Sequence, residues 1–135
     1  MVIYISGPMM GYDFYNFPEF DKYAGRLKAK GWNVVNPADI DRMADGFDPY
    51  DLPEDWDWEE EPEGFDRDKV MSRDLEMIDN YCDAIFMMPG WEESPGANQE
   101  LDRAKECKLK DYYYEDGIPE HNIPASNKSI IYQGD

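Results

Sequence analysis

Short β-prone apolar runs alternate with amphipathic stretches along most of the chain. Val2 to Ile5 is apolar and closes on Ser6-Gly7-Pro8, which predicts a buried first strand. A helix is predicted from Phe17-Pro18 to Lys30-Gly31. Asn16 stands at its cap, Pro18 early, Gly31 at its stop, and Lys28 and Lys30 in the last turn. Trp32 to Val35 reads as a second strand, stopped by Asn36-Pro37. From Arg67 to Cys82 the period is helical. Met71, Leu75, Ile78 and Cys82 share one face, with Val70, Met77 and Tyr81 beside it. Ala84 to Met88 is a continuous apolar strand ended by Pro89-Gly90. A helix follows from about Pro95 to Lys108 with Leu101 and Ala104 inward, and Asp111 to Tyr114 is a last short strand. Beyond Gly117 the tail is polar except for Ile130-Ile131-Tyr132. Strands alternating with helices predict a parallel sheet with helical crossovers, in one domain spanning residues 1–135.

The stretch from Asp45 to Asp68 breaks this pattern. Of its 24 residues 12 are Asp or Glu, and Arg67 is its one basic residue. Three prolines and the pair Trp56 and Trp58 interrupt it, which predicts an irregular acidic insertion. A solvated loop is the commonest fate of a charge run. The alternative is a lid over a cleft, anchored by the two tryptophans.

Charge narrows the function classes. Lys and Arg number 13 against 31 Asp and Glu, so the net charge is 13 − 31 = −18. That speaks against binding a nucleic-acid backbone or an anionic membrane surface. A DNA mimic would spread its acids over the whole surface rather than gather them in one segment. No apolar run approaches the roughly 20 residues of a membrane span, and the N-terminus is not built like a signal peptide. Two cysteines, Cys82 and Cys107, are too few for a disulfide scaffold or an all-cysteine zinc site. The expectation is a cytoplasmic protein without metal or cofactor.

In open parallel sheets, ligands bind beyond the carboxyl ends of the strands. Three loops qualify: Ser6 to Phe14, Asn36 onward, and Pro89 to Glu100. The first and third contain glycine and lead into helices, whose N-termini favour a phosphate. Gly7 and Gly96 can equally serve tight turns alone. Asp74 falls inside the apolar arc of its helix, between Val70 and Leu75, where a carboxylate must be satisfied or useful. An ion pair with Arg73 is the plain alternative. Glu100 opens the last long helix and would serve either as a capping carboxylate or as a second acid in the same cleft. His121 lies alone in the polar tail, and neither a Walker A nor a Gly-x-Gly-x-x-Gly pattern occurs.

Four motifs in order carry a resemblance: Tyr4-Ile5-Ser6-Gly7-Pro8, Asp74-Leu75-Glu76, Cys82-Asp83-Ala84, and Gly90-Trp91-Glu92 followed by Ser94-x-Gly96-Ala97-x-x-Glu100-Leu101. Together they resemble the nucleoside 2-deoxyribosyltransferase-like superfamily, in its branch of small, often phage-encoded domains. The likeness runs from residue 1 to about 110 and leaves out the acidic insertion. It implies a doubly wound, mostly parallel five-stranded α/β sheet of Rossmann or flavodoxin type, usually dimeric or higher. It also implies cleavage of the N-glycosidic bond of 2′-deoxynucleosides or their 5′-monophosphates. By the same resemblance Glu100 is the nucleophile, Asp74 assists the departing base and Tyr4 orients the nucleophile. Ser6, Gly7, Pro8, Ser94, Gly96 and Asn98 are the implied substrate-binding residues. A serine six residues before the nucleophile, here Ser94, resembles the monophosphate hydrolases rather than the transferases, which carry aspartate there. The first loop holds no basic residue, so a phosphate would rest on the backbone of Gly7 and Gly96 and on Ser94. The expectation is a nucleoside 5′-monophosphate N-glycosidase. A deoxyribosyltransferase and a non-catalytic acidic binding protein are the rivals.

Overall fold

The computed structural model describes residues 1–121. Four parallel strands form the sheet: β1 (Val2–Ser6), β2 (Asn33–Val35), β3 (Ala84–Met87) and β4 (Lys110–Tyr113), in the order β2-β1-β3-β4. Tyr4 pairs with Val35 on one side and Ile85 on the other, and Ser6 pairs with Met87. The helices are α1 (Phe17–Ala29), α2 (Pro37–Asp45), α3 (Arg67–Tyr81) and α4 (Pro95–Glu106). The α/β class and Rossmann-like winding agree with the sequence reading. Among the described residues there are four strands rather than five. The apolar run at Ile130–Tyr132 lies outside the described residues. No helix among those residues is long and apolar enough to cross a membrane.

The period of two along β1 divides the core. Ile3 and Ile5 point to one face, where they pack with Phe17, Phe20, Ala24 and Leu27 of α1. Tyr4 points to the other face, among Ile78 of α3 and Ala97, Leu101 and Ala104 of α4. The chain winds from β1 out to β2, then crosses back over β1 to β3 and β4. The carboxyl ends of β1 and β3 therefore flank the point where the strand order reverses.

Three details depart from the sequence pattern. Asn16 sits at the start of α1 but does not cap it. Its backbone is left-handed, and its amide instead donates to the carbonyl of Pro8 at 2.8 Å. Phe14, Tyr15 and Asn16 all have positive φ, at 52°, 50° and 65°. Three successive left-handed non-glycine residues are strained, so surrounding contacts must hold them. The second departure is α2, which the sequence reading leaves unassigned. Asn36 caps it by accepting from the Ala38 amide at 3.0 Å, and Pro37 takes the first turn. Third, Tyr81 is exposed rather than flanking the apolar face of α3, because the helix ends there.

The acidic insertion is loop-rich, with a single short turn of helix at Pro49–Asp51. Trp56 and Trp58 are half-buried against the first loop rather than free in solvent. The indole of Trp56 donates to the Tyr15 hydroxyl at 2.9 Å, and that hydroxyl donates to the carbonyl of Glu60. Trp58 packs edge-on against Tyr15, and its carbonyl accepts from the Gly11 amide at 2.8 Å. The strained turn at residues 14–16 is thus the seat on which the insertion rests.

Candidate active site

The site grows out of the alternation on β1. Tyr4 and Ser6 face the α4 side of the sheet, and Glu100 lies in the second turn of α4. The Tyr4 hydroxyl donates to Glu100 Oε2 at 2.9 Å, and the Ser6 hydroxyl donates to Oε1 at 2.6 Å. Tyr4 and Ser6 are fully buried, and Glu100 is 6% exposed. Each carboxylate oxygen thus has its own donor, a set of charge-assisted bonds that fixes the side chain and favours its ionised form.

Asp74 of α3 is equally buried at 6%, but its Oδ1 has no hydrogen-bond partner among the described residues. The ion pair with Arg73 that the sequence allows is not formed. Arg73 turns to α2 instead, reaching Asp41 at 2.9 Å and Asp45 at 3.1 Å. Burial first, then the Glu100 and Asp41 carboxylates, push Asp74 up to about 8. Burial also raises Glu100, against the pull of the Ser6 and Tyr4 hydroxyls toward the ionised form. Geometry says where a shared proton rests. Glu100 is served by two donors and Asp74 Oδ1 by none, so Asp74 is its natural seat.

A cavity of about 770 Å³ opens over these carboxylates. One wall is the Pro37, Asp41 and Asp45 face of α2, whose spacing of four residues aligns them along the helix. Tyr15, Phe17 and Phe47 make it aromatic on that side. The first turn of α4, from Ser94 to Ala97, forms another wall. The insertion reaches the cavity through residues 45–47 and 62–67, not through its tryptophans.

The expected site residues divide accordingly. Gly7, Asp74, Ser94, Gly96 and Glu100 line the cavity. Tyr4 and Ser6 lie beneath it and act on Glu100. Gly7 is also packed so tightly on Met88 that a Cβ there would come within 2.9 Å of the Met88 Cβ, a close approach that calls for glycine whatever the cavity binds. Ser94 caps α4 by accepting from the Ala97 amide at 3.2 Å while it faces the cavity. Pro8 and Asn98 do not line it. The Pro8 carbonyl anchors Asn16. The Asn98 amide donates to the carbonyls of Trp91, Glu92 and Ser94 between 2.9 and 3.2 Å, which ties the β3–α4 loop together. Asp41 went unnoticed in the sequence because α2 did. The Asn36-Pro37 start signal and the 37/41/45 spacing were the available clues.

A family model described as "Domain of unknown function (DUF4406)" matches residues 1–113. The chain belongs to this family. The matched region ends on the last residue of β4 and spans every residue of the cavity. No curated protein matches the chain.

Proposed function

We propose that this DUF4406 domain is an N-glycosidase that cleaves the base–sugar bond of a (deoxy)nucleoside 5′-monophosphate. The observation that carries the reading is the pairing of Glu100, held by Tyr4 and Ser6, with a buried Asp74 whose Oδ1 has no partner among the described residues, both over one cavity. The Glu100 carboxylate attacks the anomeric carbon as the bond to the base breaks, and the Asp74 proton passes to the departing base. Water then attacks the glycosyl ester, gives its proton to Asp74 and frees Glu100, leaving base and sugar 5-phosphate. Two neighbouring buried carboxyls, one held by two hydroxyl donors and the other with a bare oxygen, suit such a nucleophile and acid.

The first turn of α4, with Ser94 and Gly96 on the cavity, supports the monophosphate. Helix N-termini present free N–H groups, and a hydroxyl does not repel a dianion as a carboxylate would. Arg67 and Lys69 also line the cavity, so basic groups missing from the first loop arrive from the end of the insertion and the start of α3. The test is incubation with a panel of nucleoside 5′-monophosphates and chromatography for free base. Release of base by the wild type and not by Glu100→Ala is the expected result. Intact nucleotide after long incubation with every member would refute the reading. Adding a second free base separates hydrolysis from transfer, since only a transferase makes a new nucleotide.

A further inference from the structure

The reaction proposed above uses Glu100 and Asp74 and leaves a third buried carboxylate on the same cavity unexplained. Asp41 of α2 is 9% exposed and lines the cavity beside Phe17 and Phe47. Its Oδ1 accepts from Arg73 at 2.9 Å, and among the described residues its Oδ2 accepts no hydrogen bond. Asp41 thus lines the cavity with one oxygen held by Arg73 and the other still accessible, an acceptor open to a ligand's donor. A second group in this cavity also waits for one, since Asp74 Oδ1 is buried and unpartnered.

The order of the helices says what Asp41 faces. Helix α3 lies between the other two, tied to α2 through Arg73 and to α4 through the Arg103–Asp79 pair at 2.6 Å. Glu100, Asp74 and Asp41 therefore stand on three successive helices around one cavity. If Glu100 takes the sugar and the start of α4 takes the phosphate, the base leaves beside Asp74. The wall beyond Asp74, away from α4, is the aromatic face with Asp41.

We propose that Asp41 reads the edge of the nucleobase and selects bases that carry an exocyclic amino group at C4 of a pyrimidine or C6 of a purine. The inference rests on the glycosidase reading for its geometry. The chemistry is that of donors and acceptors. A carboxylate accepts from the amino group at C4 of cytosine or C6 of adenine. At uracil, thymine or hypoxanthine it meets a carbonyl oxygen at the same position, and two acceptors repel. The aromatic side chains beside it supply flat apolar surface for the ring. Arg73 keeps Asp41 charged and oriented although burial pushes its carboxyl up to about 6.

The test compares substrates that differ by that one group: dCMP against dUMP, and dAMP against dIMP. For whichever ring size the wild type cleaves, kcat/KM is expected to favour the amino member by about tenfold or more. In Asp41→Asn, whose amide offers both a donor and an acceptor, the ratio should fall toward one. A wild-type ratio near one, or in favour of the oxo base, would overturn the inference, and this arm needs no variant to fold. A folded Asp41→Asn variant with an unchanged ratio would overturn it too. If no nucleotide is cleaved, the glycosidase reading fails and calorimetric affinities of the same four nucleotides decide for Asp41. Tighter binding of the amino members supports it, while equal or absent binding ends it.

Discussion

The Ser6 hydroxyl meets Glu100 at 2.6 Å across 94 positions of sequence, joining the last residue of β1 to the second turn of α4. With the Tyr4 bond at 2.9 Å it gives both oxygens of a buried carboxylate a donor. Removing one donor tests this arrangement directly. Ser6→Ala should raise the pKa of Glu100, because a hydrogen bond to a charged group stabilises that charge by about 1.5–3 kcal/mol. At about 1.4 kcal/mol per pH unit, the acid limb of the rate profile should move up by roughly one to two pH units. An unmoved acid limb in a folded Ser6→Ala protein would mean that another group governs it.

Glu100→Ala should abolish base release while leaving the fold intact, since the proposed mechanism has no other nucleophile. Circular dichroism confirms folding, and full activity in a folded variant would end the mechanism as written.

Asp74→Asn separates the proton from the shape. On the proposed reading the rate should fall roughly 10²–10⁴-fold, with a smaller loss for bases that leave easily. Stability should move the other way. The folded pKa values of Asp41, Asp74 and Glu100 are all raised, the first two to about 6 and about 8. A raised carboxyl contributes stability below its unfolded pKa, near 4, and loses it as pH rises through the folded value. The protein should therefore melt higher at pH 5 than at pH 9. Asp74→Asn should be more stable than the wild type at pH 9, and the gap should close toward pH 5. A constant gap across that range would mean that Asp74 is not the buried acid described here.

Much of this site was legible in the sequence because it hangs on local periodicities. Alternation along Val2–Ser6 fixes which face Tyr4 takes, and the helical arc around Ile78 puts Asp74 inward. What escaped is what long-range contacts decide. Asn16 looked like a cap, but a Pro8 carbonyl eight residues earlier claims its amide and the backbone turns left-handed. Asn98 looked like a ligand, yet three loop carbonyls occupy it. The role of Arg73 depends on α2, and α2 was hidden by the acidic run that begins at its end.

The insertion should depend on Tyr15. Its hydroxyl joins the Trp56 indole to the Glu60 carbonyl and so ties the acidic segment to the strained turn at residues 14–16. Tyr15→Phe leaves two polar groups without their partner and should cost about 1–3 kcal/mol. Limited proteolysis should then cut first within residues 45–68. Equal cleavage rates in the two proteins would mean that aromatic packing alone holds the segment.

Substrate choice is tested at Ser94, which caps α4 and faces the cavity at once. Ser94→Asp isolates the second role, because aspartate caps helices as well as serine does and α4 should stay intact. The new carboxylate would lie close to a bound phosphate. At about 4 Å each charge pair costs on the order of 1 kcal/mol in water and about 4 in a partly buried site. That amounts to one or more powers of ten in specificity. The same carboxylate accepts a hydrogen bond from a free 5′-hydroxyl, so activity on the nucleoside should rise relative to its monophosphate. The measurement is the ratio of kcat/KM for a deoxynucleoside and its 5′-monophosphate in both proteins. A ratio that does not move would leave Ser94 as a cap alone. Any phosphate selectivity would then fall to Arg67 and Lys69 at the rim.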